Sequence, residues 1–97
     1  EYKVYALWYF LLNNYMSFFV YMLKSISNKP VTYVGYTNNL KKRIKLHNAG
    51  KGAKFTRGRT WKLIYKEILK SKSKAISREY YIKNNKSLRK KIKESSL

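Results

Sequence analysis

Two short runs do most to decide how this chain folds. "FFVYMLK" (18–24) and "VTYVGY" (31–36) are rich in β-branched and aromatic residues, and "SISNKP" between them supplies Ser, Asn and Pro. Side chains of that shape suit a pleated, packed surface, and turn formers fold the chain back on itself, so the pair predicts an antiparallel hairpin. Helical spacing follows. Thr37 or Asn38 is placed to cap a helix whose apolar stripe is Leu40, Ile44 and, less regularly, Leu46, and "NAGKG" ends it near residue 49.

"KGAKFTRGRT" (51–60) has no periodicity, two glycines and four cationic side chains, and reads as a basic loop. In "WKLIYKEI" (61–68), Trp61, Leu63 and Tyr65 alternate with Lys62 and Lys66, the pattern of a third strand with one wet face. "SKSKAISREYYIKNN" (71–85) sets Ile76, Tyr80 and Lys83 or Asn84 at helical spacing, with Ala75 and Ile82 near the same stripe, and predicts a second helix. The segment 86–97 is basic, has Leu88 and Ile92 for apolar contacts, and reads as either a short helix or a disordered tail. The order strand, strand, helix, strand, helix predicts a small α/β layer of the α+β type. It lacks the repeated alternation of doubly wound sheets, and its glycines match neither a P-loop nor a dinucleotide fingerprint.

A length of 97 residues suits one domain, and 44% hydrophobic content is enough for a modest core. Lys and Arg number 23 against four acidic residues, giving a formal charge of +19. Such an excess weakens the compact state by self-repulsion and attracts nucleic acid or anionic membrane. Absence of Cys excludes disulfide frameworks, zinc ribbons and thiol chemistry, and a single His excludes multi-histidine metal sites. Residues 1–17 read as an apolar extension, either a helix packed on the domain or a stretch not native to it, with Met16 a candidate start. Its uninterrupted run "VYALWYFLL" is too short for a bilayer, which needs about 20 residues. Joined to "MSFFVYML" it is long enough, but Asn13, Asn14 and Ser17 interrupt it, which disfavours a membrane anchor.

Several polar groups share one region. Arg43 and His47 are four apart, so on a helix they stack on one face about 6 Å apart, and Tyr33 lies on the strand that feeds that helix. Glu79 is the carboxylate flanked at turn spacing by Ile76 and Ile82, whereas Glu1 is terminal, Glu67 follows Lys66 on a strand and Glu94 lies in the basic tail. A hard cation would fall to Glu79, with water and substrate phosphate completing an octahedron, as suits Mg²⁺. Taken singly, the features are ordinary: tyrosines pack in strands, Arg43 and His47 make a solvated basic face, Gly35 marks a bulge, and Glu79 pairs with Lys83 at i,i+4 for roughly 0.3 kcal/mol. Their joint spacing is what favours a catalytic site.

"FVYML", then "TYVGYT", then an Arg ten residues and a His fourteen residues past the second motif's Tyr, and a Glu in the next helix, together resemble the GIY-YIG nuclease superfamily over about residues 18–85. "LHNAGKGAKFTRGR" resembles its small single-domain bacterial branch in particular. In the first motif Phe19, Val20 and Tyr21 stand for Gly, Ile and Tyr, so the tyrosine alone is kept; Tyr33, Val34 and Gly35 match the second. The resemblance implies a three-stranded antiparallel sheet flanked by helices and divalent-metal-dependent hydrolysis of DNA phosphodiesters in cytoplasmic DNA processing or repair, with RNA not excluded and a protein partner supplying specificity. Residue by residue, it implies that Glu79 holds one Mg²⁺ or Mn²⁺ ion, that Arg43 clamps the scissile phosphate, and that Tyr21, Tyr33 and His47 surround the attacking water. One of the tyrosines, or His47, is then the general base. Nearby positive charge is expected to lower a tyrosine's pKa, and His47, near 6.5 in a free side chain, needs the least tuning. The family's terminal polar residue has Asn84 and Asn85 as candidates.

For Tyr21 and Tyr33 to face each other directly, paired residue numbers in the hairpin must sum to 54, and a slip of one would put them on opposite faces. Lys41, Lys42, Lys51, Lys54, Arg57, Arg59 and the tail are expected to grip phosphates without base specificity. Neutralising about six phosphates would give log affinity against log salt a slope near −5. Phe55 either stacks on a base or anchors the loop, the anchor being favoured. The alternatives to a nuclease are a catalytically silent nucleic-acid-binding module, for which charge and loops suffice, and a cationic membrane-surface protein.

Overall fold

A computed structural model describes residues 17–96, in the order β1 (Phe18–Ser25), β2 (Thr32–Thr37), α1 (Leu40–Asn48), a 3₁₀ turn (Lys54–Thr56), β3 (Trp61–Leu69), α2 (Lys72–Lys83) and α3 (Lys86–Ser95). Of the expected extension at residues 1–17, residues 1–16 lie outside the described residues. The three strands form one antiparallel sheet in the order β2-β1-β3, so the class is α+β as the sequence predicts. Among the described residues, no helix is long and apolar enough to cross a membrane.

β1 is the central strand, which explains why its run is apolar without alternation: both faces are covered. Val20 and Met22 pack with Val34, Ala75, Ile82 and Ile92 under α2 and α3, while Tyr21 and Leu23 pack with Trp61, Tyr33, Leu40 and Ile44 under α1. The stripe expected on α2 is displaced. Ala75 and Ile82 are its buried residues, whereas Ile76 is 45% and Tyr80 71% exposed. β3 also departs from simple alternation. Met22 pairs with Tyr65 and Leu23 with Leu63, so Ile64 is an extra, unpaired residue. This bulge turns Tyr65 to the α2/α3 face and leaves Trp61 on the other.

Caps fall a residue or two from the expected positions. Asn39, not Thr37 or Asn38, caps α1 by accepting from the Lys42 amide at 3.2 Å, and Thr37 Oγ1 accepts from the Asn39 amide at 3.1 Å. Ser71 caps α2 and Asn85 caps α3, each accepting the amide three residues on. The basic segment from residue 86 is therefore a helix, held by Leu88 and by buried Ile92. Asn84 donates to the Tyr80 carbonyl at 2.8 Å, so both candidate asparagines serve helix ends.

Candidate active site

The hairpin register fixes how the tyrosines meet. Tyr21 pairs with Gly35 and Leu23 with Tyr33, so paired numbers sum to 56. The two tyrosines thus share a face as diagonal neighbours, not as the direct partners a sum of 54 would make them, with ring centroids 6.4 Å apart. Gly35 faces Tyr21 for lack of room: a Cβ there would lie 2.5 Å from the Tyr21 hydroxyl oxygen and 2.8 Å from Cζ. Its role is close approach to a phenol, not the bulge that a strand glycine alone suggests.

Tyr21, Tyr33, Gly35, Arg43 and Glu79 line one open cleft of about 610 Å³, with Lys72 and Lys83 at its α2 side. β2 is an edge strand and α2 packs against it, so helix residues reach the same opening as residues from the sheet face under α1. Glu79 is bound to Lys83 at 2.9 Å, the i,i+4 pair anticipated, and the Lys83 ammonium stands 6.0 Å from the Tyr33 ring centroid. Arg43 donates to the Gly52 carbonyl at 3.4 Å, and its buried Nε–H has no partner among the described residues.

His47 does not line the cleft. It is fully buried, with Nε2 2.7 Å from the Tyr21 hydroxyl and Nδ1 2.9 Å from Thr56 Oγ1. The neighbours select its tautomer. Thr56 accepts from the Ala53 amide at 3.2 Å and gives its one proton to the Ala53 carbonyl at 2.9 Å, so Nδ1–H donates to Thr56 and Nε2 accepts from Tyr21 O–H. Burial lowers the His47 pKa, and the nearby Arg43 charge lowers it further. The Tyr21 pKa is pushed up to about 12, chiefly by burial, against an opposing pull from Arg43. The expectation that positive charge would lower it is thus reversed: desolvation outweighs the guanidinium.

The basic loop is more ordered than its composition suggested. Trp61 donates its indole N–H to the Thr56 carbonyl at 2.9 Å, and Asn48 bonds both backbone groups of Trp61, at 2.6 and 3.2 Å. Gly52 leaves space for the imidazole, since a Cβ there would overlap Nδ1 and come within 2.8 Å of Cε1 of His47. Thr56 and Gly52 join the functional residues that the sequence alone does not mark. No local pattern marks either, and their importance comes from a contact nine or fewer residues away through a loop. Lys83 is legible as the i,i+4 partner of Glu79.

Lys41, Lys42, Lys51, Lys54, Arg57 and Arg59 are all exposed and none lines the cleft. The loop reaches a cleft residue through Phe55, which stacks on Tyr33 (6.2 Å, 19° between planes) and carries the Arg59 guanidinium 5.5 Å from its centroid. Glu67 is engaged elsewhere: Arg78 Nε donates to both its oxygens at 2.9 Å and the Tyr65 hydroxyl to one at 2.5 Å.

A family model described as the GIY-YIG catalytic domain matches residues 17–93. A UPF0213 protein of Clostridium perfringens is 56% identical over 66 residues, covering 67% of this chain and 69% of that one. Another, of Staphylococcus haemolyticus, is 50% identical over 66 residues, covering 67% and 78%. The solution NMR structure of a UPF0213 protein from Bacillus halodurans is 37% identical, with a TM-score of 0.49 over 82% of this chain and 84% of that one.

Proposed function

Since the chain belongs to the GIY-YIG catalytic domain family, we propose that it is a divalent-metal-dependent nuclease that hydrolyses DNA phosphodiesters, in DNA processing or repair. The observation that carries this reading is the convergence of Tyr21, Tyr33, Arg43 and Glu79 on one cleft, from strands, helix α1 and helix α2 that are far apart in sequence.

The side chains divide the work. Arg43 lines the cleft, where its guanidinium suits a phosphate oxygen and the charge that builds on it during displacement. Tyr21 and Tyr33 present phenols to the same space, where an attacking water would be oriented. Tyr21 is a weak base on its own, with its pKa near 12, but its proton already points at a neutral imidazole. The Tyr21 O–H bond to Nε2 fixes the phenol and leaves its oxygen free to accept a hydrogen bond from the attacking water, so His47 is a positioning residue that acts through Tyr21. Tyr33 keeps the other phenol at the cleft wall.

The residues present fit a single hard cation. Glu79 is the one carboxylate among the cleft residues, and the described residues hold no group of three or more His, Cys, Asp or Glu. That donor set suits Mg²⁺ or Mn²⁺, ions that retain waters and take a substrate phosphate oxygen. Glu79 would hold the ion, which when bound supplies Lewis-acid stabilisation of the phosphoryl oxygens. The Lys83 ammonium, paired with Glu79, balances that carboxylate until substrate arrives.

Cleavage of a fluorescent DNA substrate, with and without Mg²⁺, by wild type and by Glu79→Ala tests the reading. Cleavage by wild type with Mg²⁺ alone, lost in the variant, is expected. Magnesium-independent cleavage, or equal cleavage by both proteins, would refute it; binding without any cleavage would leave a silent nucleic-acid-binding module.

A further inference from the structure

A second recess is built almost wholly of cations. Lys24 of β1 and Lys86, Arg89, Lys90 and Lys93 of α3 line about 480 Å³, with Glu94 the single acid among the lining residues. The amphipathic turn of α3 produces it. Leu88 and Ile92 face the core, so residues 86, 89, 90 and 93, spaced three and four apart, fall together on the neighbouring stripe. Lys24, Arg89 and Lys93 are half-buried, yet the ion pairs among the described residues, Arg78–Glu67 and Lys83–Glu79, involve none of them. Backbone carbonyls hold two of these heads instead: Lys24 donates to Lys93 O at 3.4 Å, and Arg89 donates to Ile82 O at 3.1 Å and to Lys83 O. The positions are thereby fixed while the charge is left unneutralised, and like charges so gathered favour an anion in their midst.

The recess adjoins the Tyr33 cleft. Arg89 of the recess bonds the carbonyl of Lys83, whose side chain belongs to the cleft, so the two meet round the edge strand β2. From Gly35 to Thr32 is three residues of β2, about 10 Å at roughly 3.3 Å per residue. That short separation lets one nucleic-acid backbone run past both openings. We propose that the recess between α3 and the Lys24–Thr32 end of the hairpin binds an internal backbone phosphate of the same strand whose scissile phosphate occupies the cleft, within a few nucleotides of it. This rests on the nuclease reading for the identity of the strand, and it assigns α3 a fixed place on the substrate.

Binding of labelled DNA is measured by fluorescence anisotropy in EDTA across a salt series. The combined Lys86→Gln, Lys90→Gln and Lys93→Gln variant is compared with Lys29→Gln, Lys70→Gln and Lys74→Gln, which remove equal charge from exposed positions outside both recesses. The α3 variant should flatten the log–log salt slope by about 0.9, as for one lost phosphate contact, and the control by clearly less, under about 0.4. Single methylphosphonates are then walked along the strand. One internal position should weaken wild-type binding but not that of the α3 variant. Equal slopes for the two variants, absence of any such position, or sensitivity to a terminal phosphate alone would overturn the proposal. A protein that passes these tests yet cuts nothing would sink the nuclease reading instead, so the two failures are distinct.

Discussion

Gly52→Ala isolates the hydrogen-bonded chain behind the cleft. Gly52 has no left-handed φ, so an alanine is allowed by its backbone and forbidden only by space: the new methyl would overlap His47 Nδ1 and lie 2.7 Å from Cγ and 2.8 Å from Cε1. The imidazole is fully buried against the rings of Tyr21 and Tyr33, 5.8 and 4.9 Å away between centroids, and has nowhere to retreat without breaking its bonds to Tyr21 and Thr56. Two buried hydrogen bonds at about 0.5–1.5 kcal/mol each give a loss of about 1–3 kcal/mol. For a domain of this size that lowers Tm by about 4–8 °C per kcal/mol, readable by circular dichroism. Cleavage should fall further than the folded fraction, because the imidazole that fixes the Tyr21 phenol is displaced. A double-mutant cycle with Tyr21→Phe adds a sharper test, since both changes break the same bond and their costs should not add. A Gly52→Ala protein within about 0.5 kcal/mol of wild type, or fully additive costs, would refute the argument.

Gly35→Ala should push the Tyr21 phenol from its place and cut kcat about tenfold or more, a barrier change of about 1.4 kcal/mol, while Mg²⁺ titration shows little change in metal affinity. Stability should decline as pH falls below about 6.5: the unfolded chain then binds a proton that buried His47 refuses, so the unfolded state gains. Urea midpoints at pH 7.5 and 5.5 would register this, and His47→Asn should remove most of the difference. Arg78→Ala should cost no more than about 1 kcal/mol, because its pair with Glu67 is partly solvated, and should leave cleavage rates unchanged. A large fall in kcat would mean that the Glu67 cluster serves the reaction.

The sheet, its hairpin and helices α1 and α2 are legible because period and turn chemistry are local, whereas the segment from residue 86 reads equally as helix or tail until Leu88 and Ile92 meet the core. Failures arose where distant parts decide. The register followed from the room that Tyr21 needs opposite Gly35, a contact between strands that no spacing in one strand reveals. The bulge at Ile64 broke an alternation that Trp61, Leu63 and Tyr65 otherwise obey. On α2, Ile76 and Tyr80 matched a helical stripe as well as Ala75 and Ile82 did, and only the position of the helix on the sheet chose between them. The grouping of Tyr21, Tyr33, Arg43 and Glu79 was readable from motif order, but the burial that withdraws His47 from the opening and raises the Tyr21 pKa depends on Thr56 and Gly52, whose identities carry no local signal.

β2 forms the border of the sheet, and among the described residues no strand pairs with its outer side. A border strand of that kind is a template on which a second molecule can align. Here such docking would cover Tyr33 and Gly35, so self-association and substrate access compete for one surface. A formal charge of +19 works against the first and for the second. The lysines that draw in a polyanion also keep the molecules apart, and partial neutralisation by too little nucleic acid is the condition under which clumping should begin.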